Sequence, residues 1–235
     1  MRIKFAHSAD CHLGGWEKKP EIEKLNLESF GKFIDDCILE KKLNNLDFVL
    51  IVGDLFNTAQ PSIDVLKFAT EQLKRLKDND LPCYISAGSH DSSISGKTML
   101  DVLEKAGLIT FLGREGQIVG EEKTEKVDFV YLNGRRSSLE LEEGNIKRLK
   151  EFEAISQNNK PKICVLHTSI TELMEGLEGN ENIKSLSEKE LPKGFDYYAL
   201  GHIHIKKIKK INEKILAYPG PLFPNNFSEL AKLKS

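Results

Sequence analysis

The chain has six histidines. Five of them lie where an apolar, strand-like run ends, four of these within two residues of Asp, Gly or a second His. Asp10-Cys11-His12 follows the first run, and Gly53-Asp54 follows the second. Gly88-Ser89-His90-Asp91 follows the third. His167 closes the run KICVLH, and Gly201-His202-Ile203-His204 follows YYAL. Open α/β sheets bind ligands beyond the carboxyl ends of their strands, so an Asp or His there is placed to do chemistry. In extended backbone, residues two apart point the same way. Asp10 and His12 can then face one site, as can His202 and His204. Glycines beside Asp54, His90 and His202 permit sharp turns where a side chain must be aimed.

Mixed carboxylate and imidazole donors suit Mn²⁺, Fe²⁺ or Zn²⁺ better than Ca²⁺. Seven candidate groups (Asp10, His12, Asp54, His90, His167, His202, His204) exceed the needs of one ion with an open position. They match two ions sharing a bridging carboxylate. A metal pair activates water and clamps the oxygens of a phosphoryl group during in-line displacement. Each piece alone has a plainer reading. A lone D-x-H is mostly a turn, Gly-Asp after a strand is common, and His90 by itself would be an ordinary turn residue. The ordered set, each member after its own strand, carries the metal reading. His7 sits inside the first strand, opposite in parity to Asp10, and reads as structural.

The elements that must position these groups are legible in the apolar periodicity. Arg2–Ser8, Asp47–Val52 and Pro82–Ser86 read as strands. Glu21–Leu43 carries Phe30, Phe33, Ile34, Cys37 and Ile38 at helical spacing. Ser62–Lys77 has a stripe of Val65, Leu66, Ala69, Leu73 and Leu76, and Lys97–Lys105 is a third helix stopped by Gly107. Alternating strands and helices imply parallel strands with covering helices. The second half differs. Val127–Leu132, Lys162–Leu166 and Tyr197–Leu200 read as strands, and Asn145–Gln157 as a helix. Lys206–Ile211 and Ile215–Tyr218 read as a hairpin around Asn212-Glu213. Glu175–Lys193, polar and glycine-punctuated, reads as a loop or short helix. The expectation is an α/β protein with a more antiparallel second sheet.

With 235 residues, 40% of them hydrophobic, one domain with one sizeable core is expected. No apolar run approaches membrane-spanning length, and the N-terminus has no apolar signal region. A cytoplasmic location is the expectation. Four cysteines without a C-x-x-C pair argue against a zinc knuckle, a redox motif or a disulfide framework. Cys37, Cys83 and Cys164 read as core residues, while Cys11 lies in a polar turn. The net charge of −2 excludes a uniformly basic surface, so nucleic-acid binding would need a local patch. Lys206, Lys207, Lys209 and Lys210 follow the last histidines, and Arg135-Arg136 is a second basic pair. Lys206, Lys207, Arg135 and Arg136 are the candidates for tracking phosphates. The closing stretch PGPLFPNNFSELAKLKS has three prolines and then a helix-like fragment. It reads as the start of a connection (221–235) after a domain of residues 1–220.

The ordered set D-x-H, G-D, G-x-H-D, a lone His and G-H-x-H resembles the calcineurin-like metallophosphoesterases. HSADCHLG, GDLFNTAQPS and YYALGHIHIKK are most similar to the double-strand-break repair nucleases of the SbcD type. The resemblance runs from Phe5 to about Pro221. It implies two mixed β-sheets sandwiched between helices. It also implies that Asp10, His12 and His204 hold a first metal, that Asp54 bridges, and that residue 89, His167 and His202 hold a second. His90 would sit over the phosphate, stabilise charge and protonate the leaving oxygen, oriented by a nearby carboxylate. The implied activity is a Mn²⁺-dependent phosphodiesterase acting on DNA ends, an exonuclease or endonuclease of DNA repair. A small-molecule phosphoesterase or pyrophosphatase is the alternative, and a weakened member serving as a DNA-binding or partner scaffold is another. Implied partners are DNA, a coiled-coil ABC-type ATPase and a second copy of the chain, paired through Ser62–Lys77 and Lys97–Lys105. Two positions depart from the pattern. Ser89 stands where the family has asparagine, which weakens the second metal site. Asn57 stands where many members carry histidine, which blunts substrate handling.

Overall fold

The structure is a computed structural model, and it describes residues 2–93, 96–152, 160–174, 183–211 and 214–232. β1 (Phe5–Ala9), β2 (Phe48–Val52), β3 (Cys83–Ser86) and β4 (Thr110–Leu112) form one sheet in that order. Every pair in it is parallel. Parallel neighbours need crossovers, and α1 (Pro20–Asn44), α2 (Ile63–Asp78) and α3 (Met99–Lys105) supply them. α1 opens on a proline and closes with Lys41 and Lys42 against its carboxyl end. α2 is capped by Ser62, whose hydroxyl accepts from the Val65 amide at 3.3 Å.

The second sheet has the order β5 (Val119–Lys123), β6 (Asp128–Leu132), β7 (Lys162–His167), β8 (Tyr197–Gly201), β10 (Lys214–Tyr218), β9 (Lys207–Ile211). Its outer pairs β5·β6 and β10·β9 are antiparallel, and the inner pairs are parallel. The second sheet is therefore mixed, while the first is parallel throughout. α4 (Glu143–Glu151) lies between β6 and β7, α5 (Thr171–Met174) follows β7, and α6 (Phe227–Lys232) follows β10. No described helix is long and apolar enough to cross a membrane.

Strand periodicity explains the layers. In β2, Phe48, Leu50 and Val52 face the second sheet, while Val49 and Ile51 face the helices. In β7, Ile163 and Val165 face the first sheet, while Cys164 and Leu166 face outward. A strand buried on both faces reads as a continuous apolar run, as FVLIV does. Carried on by parity, His167 and Gly201 fall on the inner face, where the two sheets meet. Cys11 is buried in the core of the first sheet rather than exposed in a turn, because the chain beyond β1 stays alongside β2. The short strands β4 and β5 carry no apolar alternation, and periodicity does not disclose them. Of the helix expected at Asn145–Gln157, residues 153–157 lie outside the described residues, as do Asn212-Glu213 of the hairpin. Residues 175–182 of the expected loop also lie outside them. Its remainder includes a short turn at Glu188–Glu190 capped by Ser187.

Candidate metal centre

The ends of β1, β2, β7 and β8 and the loop after β3 converge on one buried point. Beyond β1 the chain keeps company with β2: the Asp10 amide donates to Gly53 O, and the His12 amide to Asp54 O. Asp10, His12, Asp54 and His202 all take left-handed backbone, with φ of 53°, 45°, 50° and 91°. Such backbone costs a non-glycine residue on the order of 1–3 kcal/mol and persists only where the surroundings enforce it. The extended-strand reason for pairing Asp10 with His12 is thereby replaced. Each side chain is aimed by its own left-handed turn.

The glycines also do something other than expected. Gly88 and Gly201 are not left-handed; they make room. A Cβ on Gly88 would lie 2.0 Å from Asp54 Oδ1, one on Gly201 2.1 Å from Val52 O, and one on Gly134 2.4 Å from His167 Cδ2. Gly53 (φ 74°) does both jobs, since its Cβ would meet His167 Nδ1 at 1.9 Å.

Three overlapping groups each bring their ligand atoms within 4.8 Å: Asp10–His12–His204, Asp10–Asp54–His167 and His12–Asp54–His90. The Nε2 atoms of His12 and His204 are 3.0 Å apart. His202 is in none of these groups and sits next to His167 instead. Its ring is 5.3 Å from that of His167, and its amide donates to both Asp10 oxygens at 3.0 and 3.1 Å. Ser89 is a half-buried link between Gly88 and His90 at the rim.

The donor set fits a cation. His167 Nδ1 lies 2.9 Å from Val52 O, and a carbonyl only accepts, so Nδ1 carries the hydrogen. Nε2 then presents a lone pair. It is buried, has no hydrogen-bond partner, and lies 3.3 Å from Asp54 Oδ2. A lone pair facing a carboxylate in the interior needs a proton or a metal ion between them. The titration behaviour says the same. Burial works against a charge on His167, but the Asp54 and Asp10 carboxylates outweigh it and hold the imidazole up at about 10. Burial would raise the Asp54 carboxyl, yet His167 and His12 keep it well below the usual carboxylate range. Burial raises Asp10 to about 6, and lowers His12 to about 3 and His202 to about 4. The carboxylates thus draw a positive charge to the Asp54–His167 pair, where a cation would supply it, while burial keeps His12 and His202 neutral, as metal ligands must be.

A family model for calcineurin-like phosphoesterases matches residues 3–206. The chain belongs to that family. Phosphoesterases of this family work with two divalent metal ions. Among curated proteins, the chain is similar to the DNA double-strand break repair protein Mre11 of Archaeoglobus fulgidus, 31% identical over 239 residues. That alignment covers 98% of this chain and 52% of the relative. The Mre11 of Methanocaldococcus jannaschii is 30% identical over 242 residues, covering 98% of this chain and 60% of the relative. An uncharacterized metallophosphoesterase of Bacillus subtilis, YhaO, is 28% identical over 93% of this chain and 52% of the relative. The chain thus spans roughly half the length of the curated relatives it matches. A crystal structure of TT1561 from Thermus thermophilus shares the fold, with a TM-score of 0.53 at 16% identity over 94% of this chain and 91% of that one.

Around the phosphoesterase centre, several polar residues hold the loops. Asp91 accepts from the Leu55, Phe56 and Gly88 amides and so ties the loop after β3 to the end of β2. Burial and the neighbouring Asp54 raise its carboxyl to about 7. The His90 amide in turn donates to Asp54 Oδ1 at 2.8 Å. The His90 ring is exposed, and its Nδ1 donates to Asn57 O at 2.8 Å. The expected carboxylate partner of His90 is therefore a main-chain carbonyl, because Asp91 is already committed to three amides. Asn133, which no sequence motif marks, joins Ala87 N to Leu112 O.

The basic candidates divide. The Arg135 guanidinium donates to Ser92 Oγ, Gly134 O and Gly116 O, and Lys207 Nζ donates to Leu173 O. Both side chains thus have partners within the fold. Lys206 and Arg136 are exposed. A cleft of about 800 Å³ runs beside the centre, lined by Leu13, Gly14, Thr58, Ser93 and Arg136 among others. His7 is structural in position, with its Nδ1 3.0 Å from Tyr197 Oη between the sheets. No sequence motif points to Glu229 of α6, which meets His204 at 3.0 Å. It lies beyond the family signature, and only the fold brings it to His204.

Proposed function

We propose that this chain is the nuclease domain of a Mn²⁺-dependent phosphodiesterase acting on DNA ends. The observation that carries the reading is the buried, cation-seeking cluster with the exposed His90 at its rim. Asp10, His12 and His204 would hold one ion, Asp54 would bridge, and Ser89, His167 and His202 would hold the other. The ions, when bound, supply Lewis acidity and an activated water. His90 does the protein's share of proton work. Asn57 O keeps a hydrogen on Nδ1, so Nε2 is the atom that meets the substrate. In the imidazolium form it donates to a phosphoryl or leaving oxygen. Lys206 and Arg136 are the exposed cations available to the DNA backbone. The Mre11 relatives, named for double-strand break repair, support DNA as substrate. A coiled-coil ATPase partner belongs to the same reading. So does a homodimer through α2 and α3, whose Ile63 and Val102 are 85% and 54% exposed. A strictly monomeric mass by light scattering at high concentration would remove the dimer.

A small-molecule phosphoesterase is the second reading. It is favoured by Arg135 and Lys207 being engaged internally, which thins the basic surface. One assay separates the two: Mn²⁺-dependent turnover of duplex and single-stranded DNA against a generic phosphodiester and a nucleotide pyrophosphate. Cleavage of the pyrophosphate with DNA left intact would refute the nuclease reading.

A further inference from the structure

The turn that follows β10 folds back onto the centre. Trp16, four residues beyond His12, donates from Nε1 to Pro224 O at 2.7 Å. Its ring meets Phe227 edge-on at 4.7 Å. This clasp brings Glu229 to the outer side of His204, where His204 Nδ1 lies 3.0 Å from Glu229 Oε1. The carboxylate is itself held. Oε1 accepts from Asn226 Nδ2, and Oε2 accepts from the Asn225 amide at 2.8 Å. Asn226 Oδ1 in turn accepts from the Glu229 amide at 2.9 Å, capping α6. Glu229 is thus a fixed acceptor at the back of the imidazole whose front nitrogen faces His12 and lies 4.0 Å from Asp10 Oδ1. The phosphoesterase family model stops at residue 206, so this contact lies outside the matched residues.

We infer that Glu229 is a positioning residue for the first metal site, holding His204 in the tautomer that turns the Nε2 lone pair toward the ion. This rests on the reading of Asp10, His12 and His204 as ligands. A neutral imidazole carries one hydrogen, and the partner of one nitrogen decides which nitrogen is left to bind. A carboxylate can only accept, so it draws the hydrogen to Nδ1 and leaves Nε2 bare. It also stops rotation of the ring, which otherwise has to be ordered when the ion binds. The residues that form the clasp, Trp16 and Phe227, make the loop after β1 and the turn after β10 one unit. The histidines at both ends of the signature are tied together by it.

The test uses the metal-free and Mn²⁺-titrated protein with Glu229→Ala, Glu229→Gln and Phe227→Ala. Nitrogen-15 chemical shifts of His204 in the metal-free protein report the tautomer. Calorimetry reports Mn²⁺ affinity. In the wild type, His204 should be in the Nδ1–H form. Glu229→Ala should mix the tautomers and weaken one Mn²⁺ site by about ten- to a hundredfold, the usual cost of losing such an outer partner. Glu229→Gln keeps an accepting oxygen and should retain the tautomer with a smaller loss. Phe227→Ala loosens the clasp with the carboxylate intact and should move both readouts in the same direction by less. An unchanged tautomer in Glu229→Ala, or an unchanged Mn²⁺ affinity beside a changed tautomer, overturns the inference. A wild type that binds no Mn²⁺ sinks the metal reading instead. The tautomer of Glu229→Ala then decides alone whether the carboxylate sets the ring.

Discussion

Replacing Gly201 by alanine tests whether the centre depends on how closely the two sheets approach. Gly201 ends β8 on its inner face. A Cβ there would lie 2.1 Å from Val52 O, 2.9 Å from His167 Nδ1 and 3.2 Å from Ala9 Cβ. Ordinary contact begins at 3.4 Å, so the Val52 carbonyl and β8 must part by 3.4 − 2.1 = 1.3 Å. The obstructing oxygen is main chain and cannot swing aside. Overpacking of this kind costs about 1–3 kcal/mol. Moving Val52 O also breaks its hydrogen bond from His167, a loss of about 1 kcal/mol. The sum is about 2–4 kcal/mol of stability. The same movement displaces His202, whose amide holds Asp10. A misplacement of about 1 Å can cost about a hundredfold in turnover. Gly144→Ala is the matched control. Its Cβ would meet nothing within 4 Å, and the residue lies in the first turn of α4. It should be neutral, or stabilising by up to about 1 kcal/mol. Urea unfolding of the metal-free proteins, calorimetric Mn²⁺ titration and turnover of a generic phosphodiester measure the three effects. If Gly201→Ala unfolds within about 0.5 kcal/mol of wild type and binds Mn²⁺ equally well, close approach of the sheets is not what the centre needs.

Four further outcomes are expected. Ser89→Asn supplies a longer, better oxygen donor and should lower the Mn²⁺ concentration needed for half-maximal activity by about tenfold or more; an unchanged titration would mean that position 89 is not a ligand. His90→Ser should abolish turnover while two-site Mn²⁺ binding survives in calorimetry, and loss of metal binding would make His90 a ligand instead. The pair Lys206→Ala and Arg136→Ala should weaken DNA binding alike for all sequences and flatten the log–log salt slope by roughly 1 per charge removed, whereas an unchanged slope would take both residues off the DNA path. Burial lowers His7 to about 3, so the unfolded chain takes up a proton that the folded one refuses. Stability is then full above pH 6.5 and falls as the pH drops toward 3, by about 2–3 kcal/mol at pH 4.5. His7→Gln should unfold with a shallower acid dependence, and an identical profile would mean that His7 is protonated in the folded state.

Some of this protein was determined by local sequence alone. Apolar runs such as FVLIV and KICVLH, short and rich in β-branched residues, read as strands with both faces covered, and an Asp or His at the end of each is a property of the chain. Asp10, His12, Asp54, His167, His202 and His204 were therefore legible as one set, and the helices between them as crossovers. The reason is that strand burial and helix amphipathicity repeat over a few residues. What depends on distant partners was not legible. The sheets approach closely enough that Val52 O meets His167 across 115 positions, and only the packed fold says which glycines must make room. The left-handed turns at Asp10, His12, Asp54 and His202 carry only a weak local signal: Asp and His enter that region more readily than most residues, but which of them do so is decided by the contacts of the packed fold. Arg135 and Lys207 read as free charges until the fold places carbonyl and hydroxyl oxygens around them. Glu229, 25 positions from His204, becomes its partner only because Trp16 and Phe227 meet, and nothing in NNFSELAK by itself points to an imidazole.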